Sequence, residues 1–163
     1  SFVREHQGAD WHIEVAAYPE YHPEQRYSQR DLQHYVHKVK CGANSSITQF
    51  FFNADAYLHF VDSTRSLGEA VPVVPGIMPF HNFGRIAQFA ARDGIDIPRW
   101  VQLKMEGFRD DAASIRAFGL DVVTALCERL IAGGVPGIHF YTMNQSALTL
   151  ELCARLGLGP ATR

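Results

Sequence analysis

The stretch Val15-Ala-Ala-Tyr-Pro-Glu-Tyr-His-Pro-Glu-Gln25 reads as a strand that turns into a rigid loop, and the other elements are placed around it. Ile13, Val15 and Ala17 alternate with Glu14 and Ala16, the period of a short strand, and Pro19 and Pro23 stop strand or helix from running on. Between the prolines the chain is polar and aromatic. Loops that leave the C-terminal ends of parallel strands are where α/β proteins gather ligand groups, so candidate site residues are expected at this edge.

Downstream, Ser28 and Asp31 are three apart, as in a capping box, and Leu32, Tyr35, Val36 and Val39 form an apolar stripe at helical spacing that ends near Gly42. Residues 47–52, Ile-Thr-Gln-Phe-Phe-Phe, read as a buried strand, followed by a helix over about 54–67 stopped at Gly68. A third strand is expected over 71–77, its end broken by Pro75-Gly76, and then a helix over about 82–92. Residues 97–108 read as a short inserted helix, because their flanks lack hairpin turn chemistry. A long helix over about 111–132, a strand over 138–143 and a helix over about 146–156 come next, with Gly157, Gly159 and Pro160 closing the chain. Upstream, Phe2, Val3 and Arg4 look like the tail of a helix ended by Gly8; with Ser1 in place of an initiator Met, an N-terminal part is expected to be missing. Strands alternating with helices imply parallel pairing through right-handed crossovers. Four such units fit a small open sheet or half of an eight-unit barrel of about 250 residues, and the helix-like start favours the second.

The chain has 163 residues, 47% of them hydrophobic, enough for the core of one domain. A net charge of -2 with dispersed Lys and Arg gives no reason to expect nucleic acid or an anionic membrane as partner. No apolar run approaches the roughly 18 residues that span a bilayer, and Cys41, Cys127 and Cys153 form no Cys-x-x-Cys pair, which fits reduced thiols in the cytoplasm.

Asp31, His34 and Lys38, at i, i+3 and i+7, share one helix face. Asp31 and Lys38 are about 10 Å apart along the axis, so only a long ligand such as a dinucleotide meets both; the alternative is a capping carboxylate followed by solvated side chains. Tyr18 and His22 flank the proline loop and either stack on a ring or sit as a half-buried Tyr and an exposed loop His. Gln49, an amide within an apolar strand, needs a partner: a heterocycle edge, a neighbouring strand or a water. His139 and Tyr141 share one side of the fourth strand, and Phe80, Phe83 and Phe89 are core residues or ring platforms near the third strand's exit. His22, His34 and His37 lack metal-ligand spacing, so no metal is expected, and no nucleophile motif, phosphate loop or Gly-x-Gly-x-x-Gly fingerprint is present.

The proline loop, Gly42-Ala43-Asn44 before Ile-Thr-Gln-Phe-Phe-Phe, Pro75-Gly-Ile-Met-Pro79 and His139-Phe-Tyr-Thr-Met-Asn144, in that order and spacing, resemble the C-terminal half of bacterial methylenetetrahydrofolate reductases over nearly the whole chain. The resemblance implies an α/β fold of four βα units, the C-terminal half of a TIM (β/α)8 barrel. It also implies FAD-dependent reduction of 5,10-methylenetetrahydrofolate to 5-methyltetrahydrofolate with NADH or NADPH as donor. By resemblance Tyr18, His22, Asp31, His34, His37 and Lys38 meet FAD, Gln49, Phe89 and Tyr141 serve the folate side, and Ala43 influences flavin retention by helix packing. Two departures bear on the folate's glutamate tail: Gln145 stands where many members have Arg, and Arg85 where an amide is common. The family's general acid belongs to the absent first half, so no catalytic residue is expected here and the isolated chain is expected not to turn over. Its partners are then the missing half-barrel or a second copy, and the intact enzyme is expected to be a homo-oligomer. The alternative is a non-catalytic, FAD-binding or self-associating half-barrel module.

Overall fold

The computed structural model describes residues 2–8, 10–24, 27–68 and 70–159; Ser1, Gln25 and Pro160, which the sequence reading used, lie outside them, as does the side chain of Ser28. Helix α1 (Phe2–Gln7) is followed by Gly8 at φ 84°, the left-handed stop expected there. Then come β1 (Glu14–Ala17), α2 (Ser28–Lys40), β2 (Ser45–Phe50), α3 (Ala54–Ser66) and β3 (Val73–Ile77). After them come α4 (Phe83–Asp93), α5 (Arg99–Phe108), α6 (Ala112–Ala132), β4 (His139–Phe140) and α7 (Ser146–Arg155). The sheet is parallel throughout and its strands lie in chain order, β1-β2-β3-β4.

Several boundaries differ from the sequence reading for identifiable reasons. Tyr27, not Ser28, is the N-cap of α2 and its side chain makes no capping hydrogen bond, while the Asp31 carboxylate accepts the backbone N–H of His22 at 2.9 Å. Strand β3 runs through Pro75-Gly76 rather than breaking there. The ladder with β2 is irregular between Ile47 and Phe50, and the Thr48 hydroxyl accepts the Gly76 N–H at 2.8 Å where a regular ladder would use a carbonyl. Strand β4 holds only two residues, because Met143 and Asn144 turn the backbone at φ 50° and 60° just beyond it.

Helix α4 is not the crossover that returns the chain to β4. It leaves the end of β3, and its far end meets the ends of β2 and β1: Asp93 reaches Gln49, a Cβ added to Gly94 would touch Pro23 at 3.5 Å, and the N–H of Asp96 donates to Glu20. Eleven residues rise about 16 Å, enough to cross strands about 4.8 Å apart. The returning helix is α6, which packs against α3, α5 and α7. So two helices, α4 and α5, are added before the return, where the sequence reading placed one.

The two faces of the sheet differ. Ala17, Ser46, Phe50, Val73 and Ile77 are buried beneath helices; the hydroxyls of Tyr35 on α2 and Tyr57 on α3 reach Ser46 Oγ (2.8 Å) and the Val73 carbonyl (2.6 Å). Along the opposite face Ala16, Ile47 and Val74 are in register, with Ala16 exposed and the other two only half-buried. On the helix side Phe51 stacks on Tyr57 at 5.6 Å, and Val101, Cys127, Leu130 and Leu152 are fully enclosed, which pushes the Cys127 thiol up to about 12. Cys41, Cys127 and Cys153 are all free thiols, and among the described residues no helix is long and apolar enough to cross a membrane.

Candidate functional site

Parallel strands leave their ligand-facing loops at their C-terminal ends, and four such loops meet here with α4 lying across them. On the β1 side the proline loop folds Tyr18 edge-on against His22, with ring centroids 4.6 Å apart. The loop is tied down by Asp31, which accepts from His22 N, while His22 Nδ1 accepts from Glu24 N at 3.3 Å. That bond leaves the proton on Nε2 in the neutral ring. Lys38 donates to the Ala16 carbonyl and lies 5.8 Å from the Tyr35 ring; burial lowers its pKa, and the Asp31 carboxylate partly opposes the shift. The i, i+7 pair therefore acts on one side of α2, as its spacing predicts. Tyr18, Tyr21, Asp31, Leu32 and Phe60 line a cleft of about 300 Å³. His34 and His37 are exposed on α2, and His37 meets Cys41 Sγ at 3.5 Å rather than joining this cluster.

On the β2 to β4 side, Gln49 has the partner its burial requires. Its Nε2 donates to Asp93 at 3.4 Å and its Oε1 accepts from Phe50 N at 3.0 Å. Tyr141 lies across β3 and donates its hydroxyl to the Thr48 carbonyl at 3.0 Å; burial raises its pKa. His139 packs edge-on to it at 4.7 Å, as their shared strand face predicts. Phe89 is half-buried on α4, with the guanidiniums of Arg85 and Arg92 at 5.7 and 5.2 Å from its ring. Arg85 and Gln145 line one shallow apolar cleft with Met78, Phe80, Phe89 and Leu148, its volume about 40 Å³. Among the described residues Arg85 has no acidic partner, so its charge is available at the rim.

Two contributors escaped the sequence reading, and a third, Glu20, stood at the expected edge without a role. Asp93 holds Gln49 from 44 residues away, a pairing no local pattern signals. Gly76 read as a strand breaker, but its lack of a side chain makes room: an added Cβ would sit 2.1 Å from the Thr48 carbonyl oxygen and 2.6 Å from the Tyr141 ring. Glu20, with its pKa raised chiefly by burial, ties the proline loop to the segment after α4 by accepting from Asp96 N at 3.0 Å. At the opposite edge of the sheet His12, Ser45 and Glu14 come together. Ser45 gives its proton to Glu14 (2.7 Å), so His12 donates to Ser45 Oγ and does not serve it as a base.

The family model for methylenetetrahydrofolate reductase matches residues 1–157. The chain is 41% identical over 152 residues to the 5,10-methylenetetrahydrofolate reductase of Salmonella typhimurium and 40% identical to that of Escherichia coli, covering 93% of this chain and 51% of each relative. It thus spans about half the length of the curated relatives it matches. Among solved structures it resembles an uncharacterized protein from Clostridium thermocellum that binds two copies of 5-methyl-5,6,7,8-tetrahydrofolic acid, with a TM-score of 0.68 and 17% identity over 94% of this chain and 55% of that one. At that identity the likeness is one of fold.

Proposed function

Because this chain belongs to the methylenetetrahydrofolate reductase family, we propose that it supplies the C-terminal four βα units of a (β/α)8 barrel. That barrel binds FAD and reduces 5,10-methylenetetrahydrofolate to 5-methyltetrahydrofolate, with NADH or NADPH as donor. The observation that carries the reading is convergence: Tyr18, His22, Asp31 and Lys38 from β1 and α2, and Gln49, Phe89 and Tyr141 from β2, α4 and beyond β4, belong to one edge of one sheet.

The residues suit FAD. The cleft beside Tyr18 offers aromatic surface for a ring and the Asp31 carboxylate for ribose hydroxyls, and Lys38 adds a cation within reach of a dinucleotide. The resemblance adds His34 and His37, which stand exposed on α2 outside that cleft, as outer contacts. FAD, when bound, supplies the hydride-transfer chemistry. The chain's own part is to orient and to exclude water. Gln49 presents its amide to the pterin, Phe89 gives the folate an aromatic face, and Tyr141 closes the floor beside them. Arg85, opposite Gln145, faces the glutamate carboxylates, so the tail's cation comes from α4 instead of from the loop before α7. No carboxyl of this edge is assigned the acid's role, and the chain alone is expected not to turn over.

The uncovered sheet face supports a partner. Parallel sheets are covered on both faces, and four further strands would enclose the row of Ala16, Ile47 and Val74. The assembled enzyme is read as a cytoplasmic homo-oligomer. The same face also favours a second reading, a self-associating FAD-binding module.

The test is an absorption spectrum of the purified chain before and after FAD addition and desalting, with 5-methyltetrahydrofolate titrated into the same sample and its mass measured by sedimentation. Retained flavin and folate uptake are expected. Failure to take up either overturns the reductase reading, whereas a flavin-bound symmetric dimer without folate uptake establishes the module. Sustained folate-dependent oxidation of NADH or NADPH by the chain alone would refute the expected inactivity.

A further inference from the structure

We infer that Asp93 is a positioning residue that fixes the Gln49 side-chain amide in the orientation in which it meets a folate, an inference that rests on the proposed folate contact of Gln49. The two contacts of the amide define its orientation. Phe50 N can only donate, so the Gln49 atom 3.0 Å from it is the oxygen; the Asp93 carboxylate can only accept, so the atom facing it is the nitrogen. The usual exchange of oxygen and nitrogen in a glutamine is thereby excluded. What remains for a ligand is one N–H and one carbonyl lone pair.

Asp93 is in turn held by its neighbour: Arg92 donates through Nε and Nη2 at 2.6 and 2.8 Å, which keeps the carboxylate ionised and fixed. Its placement is informative. Asp93 is the last residue of α4, at the negative end of the helix dipole, where an acid is disfavoured unless something offsets it. Arg92 and Gln49 together do so. The chain Arg92, Asp93, Gln49 thus joins α4 to β2 where the helix reaches the sheet edge. Asp93 acts through Gln49 rather than on the ligand.

The experiment uses the chain labelled with ¹⁵N, in the unaltered form and as Asp93→Ala and Asp93→Asn, with thermal melting by circular dichroism as the control for folding. The Gln49 side-chain amide resonances are recorded without ligand, and 5-methyltetrahydrofolate is then titrated calorimetrically. In Asp93→Ala the Gln49 resonances are expected to move and folate affinity to fall about five- to tenfold. Asp93→Asn, which keeps an acceptor oxygen, is expected to stay within about threefold of the unaltered chain. Unmoved Gln49 resonances in Asp93→Ala, or equal losses in both variants, overturn the inference. Absence of folate binding by the unaltered chain overturns the folate reading of the site instead, and the ligand-free resonances still decide whether Asp93 holds Gln49.

Discussion

Gly76 is the position where one methyl group would disturb most. Replacing it with Ala forces both the Thr48 carbonyl and the Tyr141 ring to give way, since an added Cβ falls 2.1 and 2.6 Å from them. Overpacking of this kind costs about 1–3 kcal/mol, so Gly76→Ala is expected to lower stability by that amount in urea unfolding and to displace Tyr141. Glu20 gives a pH signature. Its folded-state pKa is raised, so the stability it contributes is fully present below its unfolded value and is lost as pH rises through the folded one. Unfolding curves across that window should show Glu20→Gln gaining on the unaltered chain as pH rises and holding a constant lead above it. At this scale the sequence was informative where a residue carried its own constraint. Gln49 needed a partner because it is an amide in an apolar strand, and Asp31 and Lys38 shared a face because of helical spacing. The partner itself, Asp93, and the exposed setting of His34 and His37 depend on tertiary placement that spacing does not encode.

Helix α4 is where element and site coincide. Asn82 caps it by accepting from Arg85 N at 2.9 Å, and Asn82→Ala is expected to cost about 1 kcal/mol in thermal or urea unfolding. Because α4 carries Arg85 and Phe89 over the strand ends, the same substitution should weaken 5-methyltetrahydrofolate binding as well. Arg85→Gln is expected to lower that affinity about fivefold and to flatten its dependence on salt, measured by titration at two ionic strengths, without changing flavin retention. Every helix was expected from apolar period and glycine stops, whereas the side chains that cap α3 and α6, Asn53 and Asp111, were not part of that reading. The path of α4 was not, because it is set by Gly94 on Pro23 and Asp96 on Glu20, contacts between segments some 70 residues apart. The end of β3 fell at Ile77 as expected, whereas its start and both ends of β2 lie two residues from where the sequence reading put them.

For the whole molecule the decisive asymmetry is one covered and one uncovered sheet face. Sedimentation over rising protein concentration is expected to show self-association of the isolated chain, suppressed when a polypeptide supplying the other strands is present. The covered side is a well-packed core, and Leu152→Ala, which empties a fully enclosed site on α7, is expected to cost about 2–5 kcal/mol in urea unfolding. That four units succeed one another with parallel strands was legible, since alternating strands and helices leave few other topologies. The open side followed only from the resemblance to half a barrel, whose apolar flanks the other half would cover; no local residue pattern states what lies opposite it. The chain-order sheet also bears on how the molecule comes apart. Among the described residues each strand is bonded only to its neighbours in sequence, so cooperativity passes along the sheet like a row of hinged slats, with no closing bond between first and last. Amide hydrogen exchange should therefore be slowest in β2 and β3, which are bonded on both sides, and fastest in the two-residue β4, where opening begins and spreads inward.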